Sequence, residues 1–290
     1  MGAGRNRKLR RAKGEEEIMR LRVALYCLLG GVVLLVPALE VGHLLWWYLS
    51  GVILAASFVP VALFGPWTVR GQFGIIFPIL FIVTVLTTWS EGLVFVKLPL
   101  IHEHPIRNLF SETALYLVVA IVLAVLSRAL KLAHDSGKTF PRRSLAKTAG
   151  ILVICAVAYM VYYFVFGAIT YHLFTRVYYP DAATLVGRLG LWFWGIQIAR
   201  GLLMTLAVVP VVYALRMERL QTAICAGMLI WVGGGLAPLI VPNELMGTAQ
   251  RLVHIVEIFT QNFTLGLTAG LLLRPKSAAT EDSRHLSPAA

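Results

Sequence analysis

The chain has 290 residues, of which 58% are hydrophobic and 14% charged, with a mean hydropathy of +0.77 and a formal net charge of +12. An average soluble domain is about 25% charged. Composition therefore excludes a soluble enzyme, a disordered chain and a secreted disulfide scaffold, and the cysteines Cys27, Cys155 and Cys225, all in apolar runs, imply no disulfide framework.

A helix crossing a bilayer core of about 30 Å needs about 20 apolar residues, because its backbone must be satisfied within the segment. In chain order the qualifying runs are Val23–Leu39, Leu44–Phe64, Phe73–Thr88, Thr113–Ser127, Ala149–Ile169, Leu189–Leu215, Thr222–Val241 and Leu245–Leu273. The first two meet at a tight hairpin over Glu40-Val-Gly-His43; the third and fourth are short. The alternating pattern of a β-barrel is absent. The expected fold is all-α, a polytopic membrane protein of about eight transmembrane helices in a 4+4 arrangement.

The organisation follows from charge. Residues 1–22 form a basic arm, 23–130 hold helices one to four, 131–147 a basic loop, 148–273 helices five to eight, and 274–290 a polar tail expected to be disordered. Lysines and arginines concentrate in the arm, the loop and the tail, which by the positive-inside rule places both termini in the cytoplasm of a cell-membrane protein. That asymmetry accounts for the net charge, so no nucleic-acid partner is called for. The loop can also touch anionic lipid head groups. No small-residue cleavage site follows Val23–Leu39, so it reads as a retained span.

Ionisable residues at depth carry the functional information, since a charge at the bilayer centre is costly unless paired or hydrated. Arg200 and Glu257 each lie about 16 Å into their spans, at matching depth. They are expected to pair or to share a polar cavity. In the last span Thr248, Arg251, His254, Glu257, Gln261 and Asn262 fall on one half of the helix, and Leu252, Val253, Val256, Phe259 and Phe263 on the other. A rival pairing joins Arg251, His254 and Glu257 within that helix at i, i+3 spacing. Gln197 shares a face with Arg200, and Tyr159, Tyr162 and Tyr163 lie at compatible depth. The substrate-binding set is therefore Arg200, Glu257, Gln197, Arg251, His254, Gln261 and Asn262.

A second polar cluster, Glu40, His43, Glu91, His172 and Glu244, is expected at the outer face. Imidazole and carboxylate are metal-ligand types, but their spacing matches no metal motif, so no metal is assigned and the sequence names no cofactor. Trp231-Val-Gly-Gly-Gly-Leu-Ala-Pro238 predicts either a discontinuous helix or close packing through small residues. Gly266-Leu-Thr-Ala-Gly270 reads as packing.

The leading functional reading is a small-solute permease or exchanger. Arginine suits a small anionic solute because its fork binds carboxylate or phosphate bidentately. The alternatives are a membrane-embedded enzyme whose outer-face histidines and glutamates form a metal, haem or acid–base site, and a non-catalytic membrane subunit or scaffold.

Overall fold

A computed structural model describes residues 2–95, 103–133, 141–178, 182–243 and 246–275, and every element among them is helical, with no strand. Helix α1 (Gly2–Val32) carries the arm into the first apolar run, and after a break at Val33–Leu34 a short α2 (Leu35–Val41) continues it. Gly42 and His43 then reverse the chain, both with positive φ, at 77° and 59°. Glycine reaches this region without a Cβ clash, and the hairpin is tight because both residues adopt it. The helices that follow are α3 (Leu44–Phe64), α4 (Val69–Leu93), α5 (Pro105–Ala129), α6 (Leu145–Thr175), the short α7 (Ala182–Leu189), α8 (Leu191–Ala214), α9 (Arg219–Ile240) and α10 (Thr248–Leu273).

All of these but α7 are long and apolar enough to cross a membrane, seven in number among the described residues. They fit an integral membrane protein. The first apolar run is not among the seven: it is interrupted, and it packs along α3 where Gly31 and Gly51 bring the two backbones together. The third and fourth runs are longer than their hydropathy suggests, since α4 extends past Thr88 to take in Glu91, and α5 starts at Pro105 and takes in Arg107 and Glu112. A charged residue lowers the local hydropathy without stopping the helix.

The outward faces of α5 and α6 expose Val118, Ile121, Val125, Val153, Ile154, Val157, Val161 and Phe164. A continuous apolar belt of this kind needs lipid rather than water around it. Glycine decides the tightest contact inside. Gly266 of α10 lies against the backbone of Gly227 in α9, and Gly270 against Ala223, so the GxxxG pattern serves close packing.

Opposite the hairpin end lies a basic end, where arginines close the helix termini. Arg274 donates to the carbonyls of Val212, Leu215 and Met217, Arg219 to Leu271 and Arg143 to Leu273. These carbonyls lie at or just beyond the C-termini of α8 and α10, where helical backbone has no further N–H to offer and the helix dipole favours a cation.

Four of the helices contain a π-helical stretch: Leu80–Leu86 in α4, Tyr171–Thr175 in α6, Val232–Leu236 in α9 and Phe259–Phe263 in α10. That of α9 packs on those of α4 and α10. The consecutive glycines Gly233, Gly234 and Gly235 lie inside the π stretch of α9, and the helix runs through them unbroken. Gly233 faces Thr84, Gly234 faces Val83 and Asn262, and Gly235 faces Ile258.

The glycine contacts predict where substitution fails. Gly227→Leu forces a side chain onto Phe263 and is expected to destabilise by about 3 kcal/mol. Gly150→Leu, where nothing lies within 4 Å, is expected to leave the melting temperature in detergent within about a degree. Equal melting of the two variants would show that the α9–α10 contact is not close-packed.

Candidate functional site

Helices α8 and α10 both begin at the hairpin end, and Arg200 and Glu257 lie nine residues into them. A helical side chain leans toward its own N-terminus. Both therefore reach toward the hairpin end, into a small polar cavity. Its walls are Thr87, Thr88 and Glu91 of α4, Tyr159 and Tyr163 of α6, Arg200 of α8, Gly234 of α9, and His254, Glu257, Ile258, Gln261 and Asn262 of α10. At its centre it is wide enough for a water-sized occupant.

Arg200 is 9% exposed. Its Nη2 donates to Glu91 Oε2 at 3.1 Å and its Nη1 to Gln197 Oε1 at 3.2 Å. The guanidinium carbon stands 5.9 Å from the ring centre of Tyr159 and 5.7 Å from that of Tyr163. One carboxylate and two aromatic faces thus stabilise a charge that lipid would not. Gly201 lets α6 approach this closely, because a Cβ there would meet Tyr159. Among the described residues two buried donors beside this pair have no hydrogen-bond partner, Arg200 Nε and Gln197 Nε2.

Glu257 is held separately. Its Oε2 lies 2.8 Å from His254 Nδ1, and its Oε1 accepts from Gln261 Nε2 at 3.2 Å. Gly167 of α6 faces Glu257 Oε1, so a bare backbone wall gives the carboxylate room. Asn262 lines the cavity but donates to the carbonyl of Ile230, beside the π stretch of α9.

The substrate-binding set is thus brought together in part. Arg200, Glu257, His254, Gln261 and Asn262 share the cavity, with Gln197 bonded to Arg200. Arg251 is absent from the wall and donates to Thr248 Oγ1 at 3.3 Å instead of joining His254. The direct ion pair is Arg200 with Glu91, not Arg200 with Glu257. Of the tyrosines, Tyr159 and Tyr163 serve Arg200, whereas Tyr162 bonds Thr268.

The outer cluster does not assemble. Glu40, His43 and His172 are exposed, with Glu40 and His43 beside the hairpin and His172 in the π stretch of α6; Glu91 points inward, and Glu244 lies outside the described residues. Among the described residues no three metal-ligand side chains gather. Glu91 is the residue that sequence reasoning misplaced. Its signal was present, since Glu91 follows Thr87 by four residues and so shares a helix face with a threonine inside an apolar run.

Breaking the Arg200–Glu91 pair by one partner strands a charge, whereas removing both does not. Glu91→Leu is expected to lower stability by about 3 kcal/mol, and Arg200→Met with Glu91→Leu to recover most of it. A double-mutant cycle from unfolding in detergent micelles checks this, and additive losses would exclude a direct interaction.

Comparison with known proteins returns no match: no family model fits the chain, and no curated protein or solved structure is significantly similar to it.

Proposed function

We propose that the chain is a small-solute permease or exchanger of the cell membrane. In this reading it has eight spans, both termini in the cytoplasm and the hairpin end outside. It takes an anionic group at Arg200 in exchange for the Glu91 carboxylate. The observation that carries the reading is the buried Arg200 in the wall of a polar cavity, paired with Glu91, with two donors that meet no acceptor among the described residues, its own Nε and the Nε2 of the adjoining Gln197.

A structural ion pair in lipid gains by satisfying every donor, because an unsatisfied buried group costs about 1–3 kcal/mol. Vacant donors beside a compensated arginine suit an acceptor that comes and goes. An incoming carboxylate meets Arg200 and Gln197, and Glu91 loses its cation. A co-transported proton offsets the negative charge that the anion adds. The anion and the proton then move together, with the His254–Glu257 pair of the same cavity as the proton carrier.

The narrow resting cavity must widen for a solute. The π stretches of α4, α9 and α10 meet beside it, and a π turn shifts the hydrogen-bond register within a helix, which makes it a site of local rearrangement.

A second reading has one observation in its favour. His254 Nδ1 and Glu257 Oε2 at 2.8 Å have the spacing of an oriented acid–base dyad, which would serve a membrane-embedded enzyme.

Proteoliposomes with an imposed pH gradient and labelled acetate, lactate or succinate separate the two. Transport predicts proton-coupled uptake of at least one of these, lost about tenfold or more in Arg200→Lys, which cannot keep the planar fork. Glu257→Gln is expected to uncouple the proton. Normal uptake by both variants would exclude the permease mechanism, and no uptake with turnover of a lipid-linked substrate would favour the dyad.

A further inference from the structure

Arg251 belongs to no wall of the cavity, yet it is the other deeply buried arginine of the hairpin end. It is 8% exposed, and among the described residues its Nε and Nη1 have no hydrogen-bond partner. Among those residues its bond is Nη2 to Thr248 Oγ1 at 3.3 Å, which folds the guanidinium back onto the first residue of its own helix. No carboxylate pairs with it among the described residues. A buried arginine with two vacant nitrogens is a costly arrangement unless something arrives to use them.

The helix end beside it is open. Gly247 is the N-cap residue of the Thr248–Ile258 segment, so no cap side chain accepts from the first-turn amides. Gln250 is turned the other way, its Oε1 accepting from Gly247 N at 2.8 Å. Thr248 and Ala249 are exposed. First-turn amides without a side-chain cap, the positive end of the helix dipole and a guanidinium whose Nη2 reaches the first residue of that turn make a receptor for an oxyanion.

We infer that the N-terminus of α10 and Arg251 form a second anion site, separate from Arg200, that binds a phosphate-type oxyanion at the hairpin end of the bundle. This inference does not rest on transport. The oxyanion has two sources, a free phosphate and the phosphodiester of an anionic lipid, and both present the same tetrahedral acceptors. His254 lies one turn further in on the same face, so the site stands at the approach to the cavity.

The test uses the full chain in nanodiscs and reads the melting temperature. In phosphatidylcholine discs, inorganic phosphate at about ten times its dissociation constant is expected to raise it by about 3 °C. If the lipid is the source, discs containing phosphatidylglycerol give that rise without phosphate. Gly247→Asp is the decisive variant. Its backbone, at φ −61° and ψ 160°, suits an aspartate N-cap, and a Cβ there meets only Gln250 Oε1 at 3.5 Å. The new carboxylate fills the site from within, so the variant folds and the rise disappears. Arg251→Gln is expected to lose it as well, while Arg200→Lys keeps it.

A rise that survives Gly247→Asp overturns the inference, as does no rise from either phosphate or phosphatidylglycerol. A rise lost in Arg200→Lys but kept in Gly247→Asp overturns it too, by moving the anion to the inner cavity. A rise seen only in Glu244→Gln would give Arg251 to that carboxylate and overturn the inference in the same way.

Discussion

A positive charge buried among apolar helices is the constraint around which the hairpin half of the bundle is arranged. Arg200 cannot leave its depth, because its helix is fixed by apolar packing on both sides, and an uncompensated charge there is worth several kcal/mol against the fold. Each neighbour answers to that. Glu91 on α4 supplies the opposite charge, Tyr159 and Tyr163 on α6 supply ring faces, and Gln197 on the same helix supplies an acceptor. Three separate helices are tied together by one guanidinium. Gly201, next in sequence, lets α6 come near enough for its tyrosines to reach.

The π stretches make sense beside this. A helix that must present a polar group inward at one depth and apolar groups outward along its length has a fixed rotation per residue to work with. One extra residue in a turn rotates everything after it. In α10 the π stretch Phe259–Phe263 is where Gln261 and Asn262 face the cavity while Phe259 stays at the outer surface. In α9 the stretch coincides with the glycine run, where no side chain resists the wider turn and neighbouring helices take the freed space.

Much of the fold was legible in hydropathy, since lipid demands uninterrupted apolar helix and leaves its mark in composition. The polar half of α10 was legible too: Leu252 and Val256 are exposed where periodicity put the apolar face, and Arg251, Gln261 and Asn262 are buried. What stayed hidden has a common cause. Glu91 closes the apolar stretch of α4 in sequence, and hydropathy alone reads it as the surface when it is the end of the inward face. Nothing local states which helices are neighbours, so matching depth suggested Glu257 as the partner of Arg200, and depth alone cannot choose between two carboxylates on two helices. The interruption of the first apolar run and two of the π stretches do have local signs, Pro37 four residues after Val33, Pro78 before Leu80–Leu86 and the glycine run of α9, but those signs do not say whether a helix breaks, kinks or widens.

The arginines of the two ends show how one residue type is put to opposite uses. At the basic end Arg274, Arg219 and Arg143 give their donors to carbonyls at helix C-termini, which are permanent partners that never leave. Those contacts close the structure. At the hairpin end Arg200 gives its Nη donors to movable side chains, Glu91 and Gln197, and Arg251 gives one to Thr248 while its Nε and Nη1 meet no acceptor among the described residues. Burial without full satisfaction is unfavourable for folding and favourable for binding, because the ligand then supplies what the fold withheld. The asymmetry between the ends is therefore a physical argument for placing structure at the basic end and ligand recognition at the other.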